Sequence, residues 1–374
     1  MKIKINRDLL LGGLIKVSKA ISTKNLIPVL AGVKFEVKKN KLVLTASDND
    51  ITIEVVIEAD DNKFIIEREG GVVIQGKYIL DIVRKIPDEY INIEVLDDLI
   101  IFISTKNSEF NLNGISNGEY PNINLDESKK KISINSDIFK NIVNQTVFAA
   151  SIEENKPILT GINFNVNQDI LECNSTDSYR LARKVIKLNN KSDENYNIVI
   201  PSHNILEFSK ILNDYEEEVE IHIFSNKVLF KLNDLKFESR LINGTYPNTS
   251  NLLPAEVLTI INCNINDIYD VIDRVSILSS DKEKNTVTLE AKNNEIILKS
   301  NSSEVGRVEE KMVVNKNNEE EIKISFSARY MMDALKSFST KTVDIYLVGE
   351  AKPILIKSKE DETLTQLVLP IRTY

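Results

Sequence analysis

One segment of the sequence could bind phosphate, because residues 71–77 (GVVIQGK) fit a phosphate-binding loop as far as its lysine. The next position should be Ser or Thr to ligate magnesium, and it is Tyr78. Val72, Val73 and Ile74 are β-branched strand formers, which do not suit a loop whose amides wrap phosphate. We therefore predict no nucleotide-binding site at this segment.

Hydrolytic chemistry would need a positioned base, and the chain has only two histidines. His203 adjoins Ser202, but neighbouring side chains at the start of a helix diverge, and no third member of a triad is evident. His222 stands in a strand-like stretch, 220–224, and is predicted to face the solvent. We predict no catalytic residues.

Neither the acidic stretches nor the cysteines have the pattern of a metal site. Residues 48–50, 216–218 and 319–321 lack the glycine and the spacing of a calcium loop. Cys173 and Cys263 stand outside any Cys-x-x-Cys pair, so we interpret them as small core side chains in a reducing compartment. We predict no metal and no cofactor.

Composition allows several folded domains but argues at first against a nucleic-acid partner. The 374 residues are 42% apolar and 28% charged, which suffices for a core in each domain. The net charge of −9 disfavours phosphate binding unless the basic groups are concentrated on one face. No apolar run approaches the roughly 20 residues of a membrane span, so we expect a cytoplasmic protein without membrane contact.

One unit of sequence occurs three times. The segments GKYILDIVRKI, SHNILEFSKIL and ARYMMDALKSF carry an acid at Asp81, Glu207 and Asp333, at intervals of 126 residues. The turn GEYPN around Tyr120 recurs as GTYPN around Tyr246, again 126 residues further on. Self-similarity at a fixed period indicates repeated structural units.

A second element also repeats, and it begins at Asn6, Asn135 and Asn264. The repeats predict three domains, with bounds at 1–126, 127–252 and 253–374.

Each repeat is predicted to contain two helices and several strands. In the first repeat, helical spacing relates four apolar residues: Ile79, Ile82, Val83 and Ile86. Strands are predicted where β-branched stretches end at turn residues: 33–37, 41–45, 51–55 and 99–103. We predict an α+β fold of three repeated domains, each with two helices packed on two small antiparallel sheets.

The face opposite the apolar stripe has a similar charge pattern in all three helices. Lys77, Asp81 and Arg84 stand at i, i+4 and i+7 in the first repeat. The equivalent triplets are His203, Glu207, Lys210 and Arg329, Asp333, Lys336. One such face alone is typical of a solvated helix with ion pairs along it. Three equivalent faces leave a shared binding role open.

Several motifs resemble those of a known family. Thr-Asp-Ser-Tyr-Arg-Leu-Ala at 176–182 resembles the Thr-Asp-x-x-Arg-Leu-Ala motif of the bacterial β sliding clamps, the DNA polymerase III β subunits. Residues 156–161 (KPILTG) resemble the family segment before that motif, and residues 27–30 (IPVL) its first-domain counterpart. The ending at 367–372 (LVLPIR) is similar to that of the family. The resemblance covers the whole chain, including the threefold repeat.

The resemblance implies a head-to-tail homodimer that closes a six-domain ring around duplex DNA without reading its sequence. Helices would line the hole and sheets would form the outer wall, so that basic groups face the phosphates and the acidic excess lies outside. The chain would be a non-catalytic processivity factor. It would tether the replicative polymerase catalytic subunit and other proteins with a clamp-binding motif, after a clamp loader has placed it on DNA.

The resemblance also implies where partners bind. DNA contact is expected at Lys24, Lys77 and Arg84, whereas His203 stands where many relatives have a basic residue. The pocket for partner peptides is expected to comprise Lys156, Leu159, Thr176, Ser178, Tyr179, Arg180, Leu181, Pro254, Ser327, Tyr330, Leu367, Leu369, Pro370, Ile371 and Arg372.

Within that pocket, Leu181, Pro254, Leu367 and Leu369 would form an apolar well. Without the resemblance, the three leucines would be interpreted as core residues of strands. The chain continues with Thr-Tyr beyond Arg372, which could alter the rim of the pocket.

The ends of domains one and three are expected to join in the dimer. Phe110 and Leu112 alternate on a predicted edge strand, and edge strands favour pairing. The opposite side of the contact is expected at Ile277 and Leu278.

Two other functions stay open from the residues alone. A repeat scaffold that holds protein partners without enclosing DNA would leave the mobility of plasmid DNA unchanged after a loading reaction. A DNA-processing enzyme would show metal-dependent cleavage.

Overall fold

The chain folds into helices and antiparallel sheets that form two units. The computed structural model describes residues 1–21, 27–192, 194–212, 217–254, 257–279, 285–302 and 304–372. One unit comprises Met1–Asp137 and Asn204–Leu241, and the other comprises Ile138–His203 and Ile242–Tyr374. The described residues form six α-helices, namely α1 (Arg7–Val17), α2 (Gly76–Lys85), α3 (Ser136–Thr146), α4 (Ser202–Ser209), α5 (Ile265–Ser276) and α6 (Ala328–Lys336).

The described residues also form 26 β-strands. The first thirteen are β1 (Lys2–Asn6), β2 (Gly32–Lys38), β3 (Lys41–Ser47), β4 (Ile51–Glu58), β5 (Phe64–Arg68), β6 (Gly70–Gln75), β7 (Tyr90–Val95), β8 (Ile100–Ser104), β9 (Glu109–Asn113), β10 (Lys131–Asn135), β11 (Gly161–Asn167), β12 (Ile170–Thr176) and β13 (Arg180–Lys187). The others are β14 (Tyr196–Pro201), β15 (Glu218–Ile223), β16 (Lys227–Leu232), β17 (Leu235–Arg240), β18 (Thr259–Asn264), β19 (Thr286–Lys292), β20 (Glu295–Ser302), β21 (Gly306–Val313), β22 (Asn315–Lys316), β23 (Ile322–Ser327), β24 (Thr342–Leu347), β25 (Ile354–Lys357) and β26 (Leu364–Val368).

The first unit contains two antiparallel sheets. One has five strands in the order β5-β1-β7-β8-β9, and the other has eight in the order β10-β15-β16-β17-β4-β3-β2-β6. The larger sheet contains strands of the first and second repeats, because β17 pairs with β4. This pairing satisfies backbone groups that a free sheet edge would leave open.

The second unit is built in the same way. Its larger sheet has nine strands in the order β14-β11-β12-β13-β26-β25-β24-β18-β22, and its smaller sheet has four in the order β21-β20-β19-β23. Here β13 pairs with β26, so strands of the second and third repeats share a sheet. Apolar residues of α5 and α6 pack on these sheets in one buried cluster. The predicted α+β fold is confirmed.

Asparagine caps explain where the repeated first helices begin. The Asn6 side chain accepts hydrogen bonds from the N–H groups of Asp8 and Leu9, at 3.0 and 3.2 Å. Asn135 and Asn264 likewise accept from the N–H group two residues further on, at 2.9 Å in both cases. An Asn at this position satisfies donors that have no partner inside the helix. The local sequence therefore sets the start of α1, α3 and α5.

Helix α2 has one apolar face that is buried and one charged face that is exposed. Of the predicted apolar stripe, Ile79, Val83 and Ile86 are buried and Ile82 is half-buried. Lys77 and Arg84 are exposed. The strands predicted in this repeat correspond to β2, β3, β4 and β8. The basic residues therefore project from a helix whose other side is fixed by the core.

The prediction that His222 faces solvent is wrong, because its side chain is only 2% exposed. The segment that links the first two repeats covers this face of β15, and Nδ1 of His222 lies 2.8 Å from the carbonyl oxygen of Ser128. Lys227 and Lys236 donate to the carbonyl oxygens of Asn124 and Leu125, each at 3.0 Å. Strand alternation cannot reveal such cover, since it comes from a distant part of the chain.

The two cysteines are buried and free. Burial raises the pKa of Cys263 to about 12 and that of Cys173 well above its ordinary value, so both thiols stay protonated at neutral pH. Among the described helices, none is both long enough and apolar enough to cross a membrane.

Candidate binding sites

A tight turn between β12 and β13 organises the predicted pocket. Ser178 has a φ of +80°, a conformation that side-chain hydrogen bonds must hold in place. The Asp177 carboxylate accepts from the N–H groups of Tyr179 and Arg180, at 2.9 and 3.0 Å. The N–H group of Ser178 donates to the Thr176 hydroxyl at 3.1 Å. The motif at 176–182 therefore encodes a defined turn.

The second Tyr-Pro turn, around Tyr246, packs beneath the turn at 176–182. The N–H group of Thr176 donates to the hydroxyl oxygen of Tyr246 at 3.0 Å, and burial raises the pKa of Tyr246. Leu159 and Val199 pack against the same tyrosine. A buried hydrogen bond thus joins the turn at 176–182 to the Tyr-Pro turn of the same repeat.

Arg180 is held from several sides. Its Nε donates to Asp177 Oδ2 at 2.9 Å, and its Nη1 donates to Asp333 Oδ2 at 2.7 Å. The guanidinium carbon lies 4.5 Å from the ring centroid of Tyr330 and 5.4 Å from that of Phe148. With 10% of its side chain exposed, Arg180 is a nearly buried cation whose charge is paired.

The last strand forms the apolar part of the site. Leu367 of β26 lies opposite Leu181 on one side and Leu355 on the other. These three leucines are buried, and Leu253 and Leu369 pack against them. Leu181 and Leu367 therefore form the floor beneath the surface, which reconciles the core interpretation of these residues with a pocket above them.

The chain beyond β26 stays attached to both repeats. The N–H group of Leu369 donates to the carbonyl oxygen of Tyr179 at 2.9 Å, and that of Ile371 donates to Ser325 at 2.7 Å. A cavity of about 530 Å³ opens here. It is lined by Tyr179, Ser327, Tyr330, Leu369, Pro370, Ile371 and Arg372. The rings of Tyr179 and Tyr330 stack at its wall, with centroids 6.4 Å apart.

The predicted pocket residues divide into three groups. Seven line the cavity, while Thr176, Ser178, Arg180, Leu181 and Leu367 build the turn and the floor. Pro254 is half-buried, Lys156 is exposed, and Leu159 belongs to the separate cluster around Tyr246. The sequence interpretation missed Asp333, which looked like part of a solvated helix face.

The structure describes two of the three residues that are predicted to contact DNA. Lys77 and Arg84 are exposed on α2, and Arg84 lies 3.7 Å from Asp81. Lys24 lies outside the described residues. His203 is exposed at the start of α4.

Neighbouring acids neutralise some of the other basic groups near these helices. Lys19 and Lys210 both pair with Glu207, at 3.3 and 2.6 Å. Arg274 of α5 pairs with Glu310. Fewer unpaired cations are therefore available for phosphates than the sequence pattern alone indicates.

One cluster combines ligand-type atoms but is already neutralised. Glu127, Glu220 and His222 each offer an atom within 4.8 Å of the others. Lys231 donates to Glu127 at 2.9 Å and lowers the pKa of that carboxyl group, and Lys131 acts likewise on Glu220. We interpret the cluster as an ion-pair network that fastens the linker to β15 and β16.

Two of the predicted dimer residues lie on an edge strand, and the other two follow helix α5. Phe110 and Leu112 are half-buried on β9, which ends the five-stranded sheet. Ile277 follows α5 with 76% of its surface exposed, and Leu278 is half-buried. Strand β21 ends the four-stranded sheet of the same unit as Ile277.

Comparison with known proteins places these features in one family. Models for the N-terminal, central and C-terminal domains of the DNA polymerase III beta subunit match residues 1–124, 133–248 and 250–372. The beta sliding clamps of Bacillus subtilis and Staphylococcus epidermidis are 41% and 37% identical, with full coverage of both chains in each comparison.

Solved structures of two relatives have the same fold as this chain. The DNA polymerase sliding clamp of Bacillus subtilis superposes with a TM-score of 0.96 at 41% identity, and the DNA polymerase III beta chain of Streptococcus pneumoniae with 0.95 at 32%. Each comparison covers both chains completely. The chain therefore belongs to the DNA polymerase III beta subunit family. This membership confirms the predicted sliding clamp, a non-catalytic subunit rather than an enzyme.

The hydrogen bond under the turn generates a stability prediction. Tyr246→Phe should lower the free energy of unfolding by about 1 kcal/mol, because it leaves the buried N–H group of Thr176 without its acceptor. Tyr196→Phe is the matched control, since Tyr196 is buried on β14 of the same unit and its hydroxyl makes no hydrogen bond among the described residues. Urea titration of both variants checks this. Equal losses would contradict the role assigned to Tyr246.

Proposed function

We propose that two copies of this chain close into a ring around duplex DNA and hold the replicative polymerase on it. The observation that carries the proposal is the threefold repeat of a helix pair on sheets, in a chain that matches sliding clamps along its whole length. Two copies supply six repeats, and the repeated helices would line the hole. Work on the chromosome fits the cytoplasmic location that the sequence predicts.

DNA would be held without sequence reading. Lys24, Lys77 and Arg84 are proposed to meet backbone phosphates, which carry no sequence information directly. Direct affinity is expected to be weak and to fall with salt, because the net charge is −9 and several nearby cations are paired with acids. Retention must then come from a closed ring. A clamp loader is needed to open such a ring and close it around DNA.

Two strands at the ends of sheets, β9 and β21, suggest how the ring would close. β9 and β21 each end a sheet, and neither has a second strand neighbour among the described residues. Paired between two copies, the five-stranded and four-stranded sheets would form one sheet of nine strands, as large as the nine-stranded sheet within the chain. Phe110 and Leu112 would then meet Ile277 and Leu278 of the second copy. Such a contact is heterologous and generates a closed ring when the rotation is right.

A single substitution tests this contact. Ile277→Lys should convert the dimer to a folded monomer, because it places a charge in an apolar contact, while Ile277 is exposed within its own unit. Ile152→Lys is the matched control, since Ile152 is 93% exposed in a loop outside the proposed contact. Light scattering at micromolar concentration measures the mass. A wild-type monomer, or an Ile277→Lys dimer, would contradict the proposed closure.

The cavity beside β26 is proposed to bind partner peptides. Its floor of leucines and its wall of two tyrosines suit extended peptides with a glutamine and a pair of apolar side chains. Burial of one leucine contributes roughly 1.5–3 kcal/mol, so a few anchors suffice for a reversible contact. The polymerase catalytic subunit and other proteins with a clamp-binding motif would share this pocket.

Loss of the apolar lining of the cavity should weaken the binding of partner proteins and leave the dimer intact. Leu369→Asp should weaken the binding of such a peptide at least about tenfold, because it places a carboxylate where an apolar anchor would pack. It should also abolish stimulation of the polymerase without dissociating the dimer. Leu96→Asp, at an exposed leucine of the first unit, is the control. Calorimetry that gives the same affinity for both variants would show that the peptide binds elsewhere.

The two alternative functions predict different outcomes. A scaffold that does not enclose DNA would bind peptides but would show no ring with a central hole in electron-microscope class averages. A DNA-processing enzyme would cleave DNA in the presence of a metal ion. Our proposal predicts a ring and no cleavage.

A further inference from the structure

Asp333 has a partner that its sequence position does not suggest. It is the acidic member of the repeated helix face on α6, between Arg329 and Lys336, yet its carboxylate accepts from Arg180 at 2.7 Å. We propose that Asp333 is a positioning residue for the peptide pocket, and that it acts by fixing Arg180 against Tyr330. This inference rests on the proposed function, because it assumes that the cavity binds peptides.

The geometry connects Asp333 to the cavity in short steps. Asp333 and Tyr330 lie one turn apart on α6, and both contact the Arg180 guanidinium. The ring of Tyr330 stacks on Tyr179 with an interplanar angle of 22°, and both rings line the cavity. Phe148 covers another side of the guanidinium. A shift of Arg180 would therefore move the wall against which a peptide packs.

The first repeat shows that the turn itself does not need this arginine. Asp48 accepts from the N–H groups two and three residues ahead at 3.0 and 2.9 Å, as Asp177 does in the second repeat. Asn49 has a φ of +78°, as Ser178 has +80°. The position of Arg180 is occupied there by buried Ile51. Two ion pairs on Arg180 are thus additional to what the fold of the turn requires.

The acids at the equivalent helix positions are used differently. Asp81 of α2 is 44% exposed and lies 3.7 Å from Arg84 of its own helix. Glu207 of α4 pairs with Lys19 and Lys210. Glu207 thus also reaches the preceding repeat, but in the third repeat the acid pairs with the arginine that follows the β12–β13 turn. Arg180 is nearly buried, so removal of one of its two carboxylates leaves a cation that is incompletely compensated.

Isosteric substitution tests the proposal. Asp333→Asn should weaken binding of a short synthetic peptide, with one glutamine and two apolar side chains, by about tenfold in calorimetry. Arg180→Lys should have a similar effect, because an ammonium group cannot form the two directed bonds of a guanidinium. The double variant should bind no more weakly than either single variant. Such non-additivity is expected only if the two residues act on the pocket as one unit.

Controls separate this inference from the proposed function. Asp81→Asn makes the same chemical change at the equivalent position of α2 and should leave peptide affinity unchanged. Wild-type affinity in Asp333→Asn, with Leu369→Asp defective, would overturn the inference and leave the pocket intact. Additive losses in the double variant would also overturn it. A wild-type protein that binds no such peptide would instead contradict the proposed function.

Discussion

The need to pair the backbone groups of sheet edges determines how this molecule is organised. Each repeat leaves strands at the edges of its sheets, and pairing with a strand of the next repeat satisfies the open backbone groups of such an edge. Within the first unit β17 pairs with β4, and within the second β13 pairs with β26, so successive repeats share one sheet. The same pairing that joins repeats also builds the pocket floor, because Leu181 and Leu367 face each other across it. Strands β9 and β21 also end sheets, and the ring closure that we propose pairs these two edges between copies.

A protein with a net charge of −9 can stay on DNA if its retention there does not depend on charge. The ion pairs at Lys19, Lys210 and Arg274 reduce the number of cations that could meet phosphates. Weak contacts suit a protein that must move along the duplex, since each strong phosphate contact would oppose sliding. Affinity and retention are then separate properties: side chains set the first, and ring closure sets the second.

Much of the fold follows from local sequence. The asparagine caps mark the starts of three helices, and alternation of apolar residues locates strands such as β3 and β4. The repeat period and the Thr-Asp-x-x-Arg motif indicate a family resemblance, and that resemblance predicts the pocket residues. Contacts between distant segments could not be predicted in this way. His222 is buried by a linker some 90 residues before it, and Asp333 reaches Arg180 across 153 positions. Helix periodicity assigns a residue to a face but does not specify which segment lies opposite that face.

Retention on circular DNA is the most direct test of encirclement. The protein would be loaded on a nicked circle by an ATP-driven loader and passed through a gel-filtration column before and after the circle is cut. Ring closure predicts that the protein elutes with the circle at salt that abolishes simple binding, and that it separates from the linear form. Equal retention on circular and linear DNA would mean that side-chain contacts hold the protein there, and encirclement would be wrong.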